Sequence, residues 1–409
     1  MNRTSLTAAL VAVPTAALAL SGCVAKADLA ASGGPLTVTS DATACTVSAN
    51  TATSGTLAFN VTNSGTQTTE FYLLADDGLR IVGEVENIAP GASRTLTVVA
   101  QPGNYFTLCK PGMIGQGVGK TAFTVSGDSI AITGEDAEQK QQAVTLYAAF
   151  VKDQVAQLLP EVKTFADDYA AGRDDAAKAA FPKVRAYYER IEPIAEALGD
   201  LDPRIDYREV DAVAENLEWT GFHRIEKDLW VPAKDAKNAD DSSAWQDWEP
   251  STTEQRKGYA DKLVADVQEL YDYVHGDTFL STLNEQGVAG LSNGAISLLD
   301  EVATGKIAGE EDWWSGTDLY DFAANVEGSK MAFSLVRDFA LSKGDDGKKL
   351  VAEIDEGYAT LEKSLAQHGS ATAGFVSFSE LTDSDKRDLI DDINTLAEPL
   401  SKLTTTILG

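Results

Sequence analysis

The spacing of the apolar residues changes once along this chain, and one packed layer cannot serve both spacings. From Pro35 to about Gly127 they alternate: in "TLAFNVTN", Leu57, Phe59 and Val61 are separated by small or polar residues. "SRTLTVVA" and "TAFTVSG" are rich in β-branched side chains, and "NSGT", "APGA" and "QPGN" supply turn residues between runs. About seven short strands in about ninety residues predict an all-β sandwich. From Gln139 onward Ala, Leu, Lys, Glu and Asp dominate, and long helices are read at 139–171, 174–198, 209–230, 252–274, 319–341, 347–366 and 384–403. Helices of that length make a bundle. The expected fold class is therefore multidomain, all-β followed by all-α, with 24–127 and 139–409 as the two domains and 128–138 as a linker. Residues 234–250 match no calcium-loop template and read as an acidic, solvated loop.

With 409 residues, 44% of them hydrophobic, the chain is long enough for two domains with real cores. Its net charge of −30 repels nucleic acid and anionic headgroups and concentrates cations, although solubility alone also accounts for such a charge. Residues 1–23 read as a targeting segment: Arg3, the apolar "LTAALVAVPTAALAL", then "LSGC" ending at Cys23. "L-S-G-C" resembles the bacterial lipobox, which implies lipidation of Cys23 and a chain tethered to a membrane without crossing it. Two cysteines follow, Cys45 and Cys109. Outside the cytoplasm their ordinary fate is a disulfide, and a metal site is the competing reading.

In "EWTGFHRIEKDLW", read as helix, Trp219, His223, Glu226 and Trp230 fall on one stripe, with Thr220, Arg224, Lys227 and Asp228 toward the other side. A core-facing Glu226 must be paired, protonated or bound to a cation. His223, one turn away, is either its hydrogen-bond partner in a satisfied core or a co-ligand for a metal. Arg185, Glu189, Glu192 and Glu196 form a second stripe. There Arg185–Glu189 could be a surface ion pair, and Pro193, which cannot donate to the Glu189 carbonyl, should bend the helix. On a third helix Asp318, Asp321 and Asn325 share a face, and Asp318 either favours the helix N-terminus or completes an oxygen-rich site. His275 and His368 read as surface residues at helix ends.

"YYERIEPIAEALGDLD", "EWTGFHRIEKDLW" and "AGEEDWWSGTDLYDFAANVEG" resemble, in order and spacing, blocks of the EfeO-type proteins, whose helical domain is imelysin-like. The G-x-H-x-x-E signature is present as Gly221, His223 and Glu226. The resemblance covers nearly all of the mature chain. It implies an extracytoplasmic lipoprotein of a ferrous-iron uptake system, working with a membrane permease and a haem peroxidase partner. It makes His223 and Glu226 ligands to iron, with Glu189, Glu192 and Asp318 as additions. It also implies a cupredoxin-like β domain, in which Cys45, Glu70 and Cys109, with Met113 beside them in "GNYFTLCKPGM", form a candidate copper or iron site that could oxidise ferrous iron. The β domain has no histidine, so a two-histidine blue-copper site is ruled out, and the Cys45–Cys109 disulfide remains the alternative. The family name also records a metallopeptidase. Zinc peptidases use H-E-x-x-H, however, and this chain has H-R-I-E. An adhesive surface lipoprotein would leave the acidic core stripes without a purpose.

Overall fold

The computed structural model describes residues 34–130, 137–196, 198–304 and 306–408. The targeting segment and Cys23 lie outside the described residues, as do 131–136 of the linker. Nine strands form the N-terminal part: β1 Leu36–Ser40, β2 Cys45–Val47, β3 Thr51–Thr53, β4 Gly55–Asn63, β5 Thr69–Leu74, β6 Ile81–Ile88, β7 Ser93–Ala100, β8 Gly103–Pro111 and β9 Val118–Ser126. They make two sheets, of order β2-β1-β4-β7 and β3-β9-β8-β5-β6, so the sandwich expected from alternation is present. Phe59 packs at its centre, its ring 5.2 Å from that of Phe71 and 5.6 Å from that of Phe123. β2 and β3, three residues each, are too short to display an alternation in the sequence.

Cys45 and Cys109 are joined as a disulfide from β2 to β8, buried in this core. That corrects the reading of a soft-metal site at Cys45, Glu70, Cys109 and Met113, because sulfurs bonded to each other offer no thiolate. Strand geometry separates the other two as well. Phe71 pairs with Cys109 and faces the core, so its neighbour Glu70, paired with Lys110, faces the opposite side of the sheet. Met113 lies in the turn after β8, on that same outer side, where it and Glu70 both line a cleft.

The helical part comprises α1 Ala137–Ala170, α2 Asp174–Glu189, α3 Glu192–Glu196, α4 Leu201–Ile205, α5 Glu209–Glu215, α6 Gly221–Leu229, α7 Thr253–His275, α8 Asp277–Thr304, α9 Asp318–Leu341, α10 Gly344–Leu365, α11 Asp383–Leu400 and α12 Leu403–Leu408. Three expected helices are interrupted. The 174–198 helix breaks after Glu189 and restarts with Pro193 in the first turn of α3, where a missing N–H costs nothing. The 209–230 helix is broken by Asn216, a left-handed C-cap, and α6 begins only at Gly221. The last expected helix ends at Leu400, one residue after Pro399.

Sequence periodicity misses α8 altogether. This helix is buried on two sides, against β6 and β7 of the sandwich and against α1 and α9, so no polar face marks its period. It carries Gly287, Gly290 and Gly294, and its backbone leaves helical geometry at Gly287. From α8, Asp300 pairs with Arg94 at 2.9 Å, Ser297 Oγ donates to Glu84 at 2.8 Å, and Asn293 Nδ2 donates to the Thr97 carbonyl at 2.9 Å. Beside this seam the outer face of the five-stranded sheet and the segments from α3 to α5 enclose a cleft of 610 Å³.

Two measurements test this seam and this core. The disulfide closes a separation of 64 residues. Cys109→Ser should therefore lower unfolding stability by about 4 kcal/mol on a loop-closure argument, read as a lower denaturant midpoint. Burial, with the charges of Glu70 and Glu301, pushes Glu84 up to about 8 against the Ser297 hydrogen bond. A carboxyl raised in the folded state contributes stability that is complete below its ordinary value of 4.5 and is lost as pH rises to about 8. The thermal midpoint should carry that decline across the same window, and Glu84→Gln should flatten it.

Candidate metal centre

The floor of the site is set by a glycine. Gly221 opens α6 at φ +84°, and a Cβ there would lie 2.1 Å from the Ile205 carbonyl oxygen. Only glycine permits both the angle and the approach. Because Ile205 ends α4, this contact brings Asp206 against α6, where Asp206 Oδ1 lies 3.5 Å from His223 Nε2. A second close approach serves α9. A Cβ on Gly328 would meet the Arg190 carbonyl oxygen at 2.4 Å, just beyond the break that ends α2. One turn earlier, Asn325 Nδ2 donates to the Glu189 carbonyl at 2.9 Å, satisfying the acceptor that Pro193 cannot reach.

Every residue of α6 is buried. The polar residues expected on its far side are therefore paired inside the protein. Arg224 Nη1 meets Asp228 at 2.9 Å. Lys227 pairs with Glu209 and lies over the rings of Trp219, Trp248 and Trp314 at 5.5, 5.1 and 4.9 Å. Trp219 precedes the helix rather than sharing its stripe, and Trp230 packs on Phe181.

Arg185 is the central cation. It is wholly buried, not part of a surface pair with Glu189. Its guanidinium donates to Asp206, to Glu189 at 2.5 Å, to Glu311 at 3.0 Å and to Asp321 at 3.3 Å, and it lies 3.5 Å from Asp312. The rings of Phe181 and Phe222 hold it from the apolar side.

His223 stands between two pairs of carboxylates. Its Nδ1 is 3.1 Å from Glu226 and 3.9 Å from Asp312, and its Nε2 is 3.2 Å from Glu311. Burial and the Arg185 charge push the imidazole down. Hydrogen bonds to Glu226 and Glu311 and the charge of Asp206 outweigh them and raise it to about 10, so in the metal-free protein the ring is itself a cation. Glu226 Oε1 accepts from the backbone N–H groups of Trp314 and Ser315 at 3.1 and 2.8 Å and from Ser315 Oγ at 2.8 Å, leaving Oε2 for His223.

The remaining acids are crowded. Burial drives Asp312 and Asp321 well above the usual carboxylate range despite the nearby Arg185 charge. Asp318 is pushed up to about 7, again mainly by burial. Asp312 Oδ1, Asp318 Oδ2, Asp321 Oδ1 and Asn325 Oδ1 are buried oxygens without a hydrogen-bond partner among the described residues.

Three sets of ligand-type atoms lie within 4.8 Å of one another: His223, Glu226 and Asp312; Asp206, His223 and Glu311; Glu189, Glu192 and Asp206. Of the residues named from the sequence, His223 and Glu226 fall in one of these sets, and Glu189 and Glu192 in another. Asp318 belongs to none of these sets, and its Oδ1 accepts from the Asp312 N–H at 3.1 Å. Sequence reasoning missed Asp206, Glu311 and Asp312. Asp206 caps a five-residue helix that has no readable period, and the two acids of "EED" sit in a connection. The one available signal was three consecutive acids immediately before an apolar pair of tryptophans. His275 stacks on Tyr271 with ring centroids 4.1 Å apart, and neither it nor His368 joins a ligand-type set among the described residues.

The sequence model of the imelysin family matches residues 143–403. A protein of Yersinia pestis named iron uptake system component EfeO is 34% identical over 404 residues, covering 98% of this chain and 96% of that protein. A protein of the same name from Escherichia coli O1:K1 is 36% identical over 361 residues, 86% of each chain. The match runs through the β-sandwich as well as the helices, and on it this chain belongs to the imelysin family as a two-domain, EfeO-type member.

Proposed function

We propose that this chain captures iron outside the cytoplasm and hands it to a membrane permease. The observation that carries the reading is the buried set of His223, Glu226 and Asp312, in which Asp312 Oδ1 has no hydrogen-bond partner among the described residues. One imidazole among several carboxylates is a hard, oxygen-rich donor set that suits iron. Nδ1 faces Glu226 and Asp312, so a cation held there leaves Nε2–H to be oriented by Glu311 and Asp206. Arg185 keeps these acids together between binding events.

The names of the EfeO relatives support iron as the cargo. Among the described residues no helix is long and apolar enough to cross a membrane, which is consistent with a carrier tethered through Cys23. In this reading the sandwich, cupredoxin-like by family resemblance, contributes a docking wall and no copper. A haem peroxidase partner, and not a thiolate metal in this chain, would oxidise ferrous iron.

Equilibrium dialysis with ferrous salt under anaerobic conditions and with ferric salt checks the centre. Wild type should bind iron in a tight class that His223→Ala and Asp312→Asn each abolish. Glu311→Gln, which removes the charge that orients the imidazole and one ion pair with Arg185, should weaken that class by ~10- to 100-fold. Equal stoichiometry and affinity in wild type and His223→Ala would end the proposal.

A further inference from the structure

His223 and Glu226 line a void distinct from the cleft of 610 Å³. Trp219, Trp313 and Trp314 surround this void, Asn238 of the loop after α6 stands at its edge, and it leaves only 20 Å³ for the centres of water molecules. That is room for about one water. A small hard cation travels with a shell of about six waters, which fits the cleft and not the void.

Among the described residues, Arg208, Glu310 and Glu311 alone line both spaces, so they form the partition between them. Glu311 is fixed there, 3.0 Å from Arg185 and 3.2 Å from His223 Nε2. The other two are held loosely to each other. Arg208, the N-cap residue of α5, places Nη1 3.7 Å from the half-exposed carboxylate of Glu310. A long pair that faces solvent is weak. Its anchor lies elsewhere: Nε donates to Asp211 at 2.7 Å and Nη2 at 3.2 Å, a two-pronged contact three residues along the chain. Arg208 can therefore leave Glu310 without losing its hold on α5. A stationary positive charge on the approach to a cation centre repels the ion that has to pass. A side chain that swings away removes the obstruction and the repulsion together. The opposite side of the void is closed more firmly, because Trp313 Nε1 donates to the Lys237 carbonyl at 2.9 Å and Lys227 Nζ to Asn238 Oδ1 at 3.2 Å.

We propose that Arg208 is a gate. Paired with Glu310 it separates the cleft from the His223–Glu226 void, and it swings aside on Asp211 to admit a cation that has shed its waters in the cleft. The inference rests on the cation-carrier reading above. The gate sets how fast the ion enters and leaves, and the ligand atoms set how tightly it is held.

Stopped-flow fluorescence of the full chain with Fe2+ under anaerobic conditions tests this, since Trp219 and Trp314 line the void and a paramagnetic ion held there quenches them. Arg208→Met should raise the association and dissociation rates together, each by about tenfold, and leave Kd within about threefold. Glu310→Gln, a change at a half-exposed side chain, should do the same. The two substitutions remove opposite charges, so a purely electrostatic role gives them opposite effects, whereas a shared gate gives them one effect. The double variant should be no faster than either single variant. Trp313→Ala should move neither rate. The gate is overturned if both partition variants leave the rates unchanged or shift association and dissociation in opposite directions. It is also overturned if either variant loses iron binding while its circular dichroism stays native, or if Trp313→Ala speeds both rates in their place. Those results leave the inner centre standing as long as His223→Ala abolishes binding. Fe2+ binding that His223→Ala does not alter overturns the centre, and the gate with it.

Discussion

A fully buried guanidinium holds this molecule's acidic interior together. Arg185 is hydrogen-bonded or ion-paired to Glu189, Asp206, Glu311, Asp312 and Asp321, which come from α2, the end of α4, the connection before α9, and α9 itself. Taking an arginine and five acids out of water is costly, and only their mutual contacts offset the loss. Breaking such a network by removing one partner costs about 3 to 5 kcal/mol, because the opposite charges remain buried and uncompensated. Two of the five acids, Asp312 and Asp321, are still held well above the usual range by burial, despite the Arg185 charge.

The remaining internal cations follow the same logic. His223 is made a cation by its carboxylate neighbours, and Lys306, although buried, is raised by Glu189, Glu192 and Glu301. Glu311, between them, is held well below the usual carboxylate range: burial opposes that, and the Lys306 charge and the His223 hydrogen bond prevail. The α8 helix ties this chemistry to the sandwich. Its last turns carry Asp300 to Arg94, and the chain then runs directly to Lys306. The seam between the two domains and the tethered ammonium are thus set by one helix.

The split into β-sandwich and helical bundle was legible because each half has surfaces facing water, which stamp their period on the sequence. α8 was not legible, since it is covered by the sandwich on one side and the bundle on the other. Of the centre, His223 and Glu226 could be read because they share a helical stripe, and Asp321 and Asn325 because they share a face with Asp318. Asp206, Glu311 and Asp312 could not, because irregular segments position them through contacts distant in sequence. The cysteines were ambiguous from composition, and strand pairing decides them: it seats Cys109 in the core opposite Cys45 and turns Glu70 to the other face.

The contact from Arg185 to Asp321 spans 136 residues, and those from His223 and Glu226 to Glu311 and Ser315 span 88 and 89. No continuous stretch of the chain holds the cation pocket, so the pocket comes into being only as the tertiary structure closes. A nascent or misfolded copy has its acids dispersed in water and no reason to hoard the ion. On the proposed function, loading would therefore report successful maturation, and only copies that have finished folding would carry the ion.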